Sequence, residues 1–128
     1  MNRESQRLLD KAAKYRQSAG LLGEAGDFDS ATSRLYYAMF FCARAALWSV
    51  GQTYSKHQGV LSGFGQHLVK TGELPAELHL WLRQAFDLRQ ESDYMSESTL
   101  GADAVRGLQI RAEAFASQID AWLRQREP

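Results

Sequence analysis

Ala38-Met39-Phe40-Phe41-Cys42-Ala43-Arg44-Ala45-Ala46-Leu47-Trp48 is apolar on nearly every side of a helix, interrupted only by Arg44. A helix with no polar face has to be enclosed by others, so this stretch predicts the buried centre of a helical bundle. Its helix is expected to run from about Phe28 to Val50. Asp27 is a good N-cap, and Gly51 suits the left-handed position just beyond the end.

The flanking sequence supplies the enclosing helices. Leu8, Leu9, Ala12, Tyr15, Ala19 and Leu22 recur at helical spacing, predicting a first helix over about Ser5 to Leu22. Ser55 and Gln58 fit a capping box opening a third helix to about Lys70, weakened by Gly63 and Gly65. Thr71-Gly72-Glu73-Leu74 reads as a turn, and Pro75 suits the first position of a fourth helix ending near Met95. Ser96-Glu97-Ser98-Thr99 is polar and expected to be mobile. Val105, Leu108, Ala112, Phe115, Ile119 and Trp122 alternate steps of three and four across a fifth helix, Ala102 to Arg124. No strand pattern is present. Short loops make neighbours antiparallel, so the expected fold is all-α: one domain over residues 1–128, an up-and-down bundle of four to five antiparallel helices.

Composition narrows the function. Acids and bases balance at 15 each, so no basic excess announces nucleic-acid binding, although a local patch can hide inside a neutral total. No apolar run reaches membrane-spanning length, and Met1-Asn2-Arg3-Glu4-Ser5 lacks the basic start and apolar stretch of a signal peptide. A cytoplasmic protein with no membrane association is expected. The single Cys42 excludes an internal disulfide and reads as a small core residue. No phosphate-loop glycine spacing, His-Glu-x-x-His or cysteine cluster occurs. His57, His67 and His79 have no carboxylates at ligand spacing, so neither a metal nor a cofactor is expected.

Three polar groups remain. Arg89 and Asp93 are four apart at the end of the fourth helix and can pair, with Tyr94 on the adjoining stripe. An arginine so held can meet a phosphate, because its planar fork engages two oxygens and stays charged; equally, the two can form a plain intrahelical pair. Arg34 precedes the wholly apolar stretch, so part of its stem is expected to be buried, with Asp93 a possible partner across the bundle. Beside it, Tyr36 and Tyr37 read as core aromatics whose hydroxyls reach partners. Lys56 and His57 open the third helix, where an N-terminus attracts anions, or simply forms a solvated cap.

Arg34-Leu35-Tyr36-Tyr37-Ala38-Met39-Phe40, Lys56-His57-Gln58-Gly59-Val60 and Arg89-Gln90-Glu91-Ser92-Asp93-Tyr94 come in an order and spacing that resemble small stand-alone HEPN-domain proteins, over about Met1 to Arg124. The resemblance implies a helical homodimer, and a minimal nucleotidyltransferase partner in toxin–antitoxin-type pairs. Active members of the superfamily are metal-independent ribonucleases. In them an arginine, a polar residue and a later histidine from each subunit form one composite site. There the 2′-hydroxyl attacks the adjacent phosphate, the arginines steady the charge and the histidine moves protons.

Residue by residue, Arg89 matches the motif arginine and Gln90 the polar residue. The histidine is absent, and Tyr94, Met95 and Ser96 stand where it would fall. A tyrosine, ionising near pH 10, is a poor base at neutral pH. Asp93 can accept a proton, though pairing with arginine lowers its basicity. His57 can substitute only if the fold brings the start of helix three beside the end of helix four. Tyr94 resembles the tyrosine that receives nucleotidyl groups from the partner enzyme. The resemblance thus implies a possible endoribonuclease with Arg89, Asp93 and Tyr94 in catalytic positions and Arg34, Tyr37, Lys56, His57 and Gln90 contacting RNA or a nucleotide. The missing histidine and zero net charge fit an alternative, a non-catalytic helical interaction module acting as adaptor or regulatory subunit.

Overall fold

The computed structural model describes residues 1–97 and 100–126, so the part of the polar linker formed by Ser98 and Thr99 lies outside the described residues. The order is α1 (Arg3–Glu24), α2 (Phe28–Ser49), α3 (His57–Phe64) continuing into a π-helical turn (Gly65–Val69), α4 (Ala76–Tyr94) and α5 (Ala102–Gln125). The described residues contain no strand, and the all-α bundle expectation holds.

The apolar stretch does what its composition requires. α2 is the central helix: it packs against α1, α3, α4 and α5, and from Ala38 to Leu47 only Arg44 is not buried. Ser5 Oγ donates to the Ala45 carbonyl at 2.9 Å, placing the start of α1 against the end of α2. Ser92 Oγ donates to Asp29 at 2.6 Å, placing the end of α4 against the start of α2. Both neighbours therefore run antiparallel to the central helix. Cys42 is buried among them, and burial pushes its thiol up to about 12 against the pull of Arg16, so it stays an unreactive core thiol.

The ends of α2 follow the sequence. Asp27 accepts from the Ser30 N–H, and Gly51 takes φ +77° while Gln52 N–H bonds back to the Leu47 carbonyl, closing the helix with a Schellman turn.

The third segment departs from expectation. The α3 N-cap is Lys56, with no side-chain cap bond, so Ser55 and Gln58 form no capping box. The helix opens later because the His57 ring is drawn into the aromatic interior, 4.9 Å from the Phe40 ring. The regular α-helix also stops at Phe64 rather than running to Lys70. From Gly65 the chain widens to a π turn, with Lys70 N–H bonded to the Gly65 carbonyl, where His79 lies against Gly65 and donates to the Leu61 carbonyl. Pro75 is the N-cap of α4 rather than its first helical residue, since its ψ of 142° is extended.

The glycines of α3 have a packing reason. The Tyr54 ring lies flat along the helix, and a Cβ on Gly63 would sit 2.6 Å from Tyr54 Cε2. Gly63→Ala is therefore expected to destabilise the protein by about 1–3 kcal/mol in chemical denaturation, despite alanine's better helix propensity. In a Tyr54→Ala background the same change should become neutral or stabilising. An equal loss in both backgrounds would show that the ring is not the cause.

Candidate functional site

Arg89, on the last turns of α4, leans back over α2 instead of standing free. Its guanidinium carbon is 5.0 Å from the Tyr37 ring centre and 5.8 Å from that of Tyr36. Its Nε lies 3.2 Å from Asp93 Oδ2, shielded from water but out of line for a hydrogen bond. An i,i+4 pair to a carboxylate as exposed as Asp93 contributes roughly 0.3–0.5 kcal/mol. A cation over aromatic rings in a half-desolvated place contributes about 0.5–2 kcal/mol. The two tyrosines, more than the aspartate, set the direction of Arg89. No carbonyl among the described residues accepts from it, and its side chain keeps 23% exposure.

Below it lies a buried polar link. Tyr36 is fully buried, and its hydroxyl is 2.6 Å from His57 Nδ1. Burial, reinforced by Tyr37 and only weakly opposed by Arg89, holds the phenol protonated far above its ordinary range. Tyr36 has no other hydrogen-bond partner among the described residues, so a hydroxyl that donates to Nδ1 satisfies the buried phenol and leaves the proton of the neutral ring on Nε2. The imidazole is walled by Tyr36, Tyr37, Phe40 and Phe86. Its burial, then the charge of Arg89, lowers the His57 pKa. The start of α3 does therefore lie beside the end of α4, the condition on which a role for His57 depends.

The remaining expected residues divide. Arg89, Gln90, Asp93 and Tyr94 line one open groove of about 710 Å³ with Asp87 and Glu91. Tyr94 is 89% exposed at the end of α4, and Lys56 is exposed beside His57. Arg34 does not bury its stem and does not meet Asp93. It is exposed, with its guanidinium 4.7 Å over the Tyr15 ring of α1, because its stripe of α2 faces α1 while Asp93 already pairs with Arg89. His67 and His79 go elsewhere, to Tyr54 and the Leu61 carbonyl, and no group of three or more His, Cys, Asp or Glu gathers among the described residues. Sequence reasoning omits Phe86 and Ser92. Each lies three residues from Arg89, the one walling His57 and the other tying α4 to Asp29.

The lowered His57 pKa has a sign that can be checked. The folded chain binds this proton less readily than the unfolded one. The associated stability is complete above the ordinary histidine value of about 6.5 and declines as pH falls below it. Arg89→Gln is expected to raise the His57 titration midpoint in NMR and to flatten that part of the decline. An unmoved midpoint would mean that the two groups are not electrostatically coupled.

The HEPN domain family model matches residues 5–117. A UPF0332 protein of Gloeobacter violaceus is 39% identical, over 91% of this chain and 99% of its own. A candidate toxin of Methanocaldococcus jannaschii is 31% identical, over 94% of this chain and 82% of its own, and a UPF0332 protein of Thermotoga maritima is 33% identical, over 86% and 83%. With this helical bundle and with its arginine at the end of α4, the chain belongs to the HEPN domain family.

Proposed function

We propose that this HEPN protein binds RNA phosphate through Arg89 and acts as a ribonuclease toxin, in a homodimer that brings two such grooves together. The observation that carries the reading is the placement of Arg89: on an aromatic floor, in an open groove, with no backbone carbonyl among the described residues occupying its fork. A buried structural arginine has its donors satisfied inside the fold. The candidate-toxin name of a relative supports the same direction.

In the proposed reaction the 2′-oxygen bonds to the adjacent phosphorus as its proton passes to Asp93. The bond from phosphorus to the 5′-oxygen breaks, that oxygen takes up a proton from water while Asp93 gives its own back to solvent, and a 2′,3′-cyclic phosphate remains. Arg89 steadies the negative charge, and the Nε2–H of His57 supplies a second donor. This division of labour replaces the absent motif histidine without asking Tyr94 to act as a base. Tyr94, nearly free of protein contact, is instead the acceptor for a nucleotidyl group from a minimal nucleotidyltransferase partner, which would place a bulky anion in the groove and silence it.

Arg89→Ala is expected to fold normally by circular dichroism while losing cleavage of total RNA by about a hundredfold or more, as removal of a charge-stabilising donor does. Unchanged cleavage would end the assignment. Incubation with the partner and ATP should add one or more nucleotidyl masses to the wild type and none to Tyr94→Phe. A label persisting on the phenylalanine variant would place the modification elsewhere. A non-catalytic interaction module, favoured by the missing motif histidine, predicts no cleavage by wild type or variant.

A further inference from the structure

The formal charge of the whole chain is zero, but it is not spread evenly. Arg3, Arg7, Lys11 and Lys14 recur at steps of four, four and three, which puts them on one face of α1, and all four are exposed. Of the acids in α1, Glu4 pairs weakly with Arg7 at 3.9 Å. Asp10 lies at the edge of this face, three residues from Arg7 and four from Lys14, where it accepts from Gln6 at 2.9 Å and borders the α5 groove with Arg16, Glu113 and Asp120. Glu24 ends the helix beyond the four cations. α2 shows the same bias. Between Ser30 and Ser49 it has no acid, and its exposed residues are Arg34 and Trp48.

The two biased faces meet. Lys11 Nζ is 4.6 Å from the Phe41 ring, and Arg34 lies over Tyr15. Tyr15 and Phe41 both contact Tyr37, which is the floor under Arg89. A continuous seam of cations on aromatic rings thus runs along α1 and α2 and ends at the Arg89 groove. Farther along α2, Trp48 is 40% exposed beside Arg44. Cations alone suit any polyanion. Cations with an exposed indole suit a strand whose bases are unstacked, because a stacked duplex offers no base face.

We infer that the α1–α2 seam is a track for single-stranded RNA. Arg7, Lys11, Lys14 and Arg34 contact successive phosphates, and a base stacks on Trp48. The track explains how a neutral protein can hold a polyanion, and it rests on the RNA-binding reading of Arg89.

The test is fluorescence anisotropy of the full chain with a labelled single-stranded oligouridine, across a salt series. Lys11→Glu with Lys14→Glu should weaken binding by about tenfold or more and reduce the salt slope by about 1.4, or about 0.7 for each phosphate that is no longer neutralised. Trp48→Ala should weaken binding about tenfold with the slope unchanged, because stacking releases no counterions. Lys70→Glu with Arg106→Glu changes the net charge equally away from the seam and should shift the affinity less than twofold. Thermal melts confirm that each variant is folded. Equal losses in the two charge-reversal pairs, or none in the seam pair, would overturn the track while leaving Arg89 as the RNA contact. Wild type that binds no RNA would overturn both readings, as expected if the seam instead receives an acidic protein surface.

Discussion

The hydroxyl of Tyr36 has no water to turn to, and this constraint organises the site. A buried phenol without a partner costs on the order of 1–3 kcal/mol. Here it is satisfied by one bond, to His57, which fixes where α3 begins. The same ring contacts Phe86 and lies below Arg89, so it also fixes how the end of α4 sits on α2. Three successive helices, α2, α3 and α4, are brought into register by one side chain.

A consequence is that the guanidinium is oriented by rings rather than by its carboxylate neighbour. Aromatic faces attract a cation without occupying its donors. An arginine held in this way keeps its fork for a ligand, whereas one chelated by buried carboxylates does not. The same enclosure holds His57 neutral, with its proton on Nε2. A histidine in that state offers a hydrogen bond at neutral pH without competing with Arg89 for an anion by charge. Asp93, Gln90 and Tyr94 remain at the open side of the groove.

Much of the fold was legible because one segment left little choice. The run from Ala38 to Leu47 has to be central, and the periodic stripes of α1, α4 and α5 have to cover it. The end signals at Asp27 and Gly51 are local chemistry, and they act as local chemistry. The third helix was less legible because its start depends on a bond to a residue twenty-one positions away, and its end on His79 lying against Gly65. The pairing of Arg89 with Asp93 followed from helical spacing alone. The aromatic floor did not, since Tyr36 and Tyr37 become a support for Arg89 only once α4 lies across α2. Arg34 misleads for the related reason that spacing gives a face of a helix but not the neighbour it faces. The charge asymmetry of α1 was written in plain spacing, yet a total of zero conceals it.

The central claim is that Arg89, steered by two tyrosine rings, is the group that meets the RNA phosphate. The direct measurement is a side-chain NMR titration of the arginine Nε–H signals with a short 2′-O-methyl oligonucleotide, which can bind but cannot be cleaved. Saturable movement of the Arg89 signal, together with the Tyr37 ring and the His57 Nε2–H, is the predicted result. An Arg89 signal that stays fixed while the oligonucleotide binds elsewhere on the chain would contradict it.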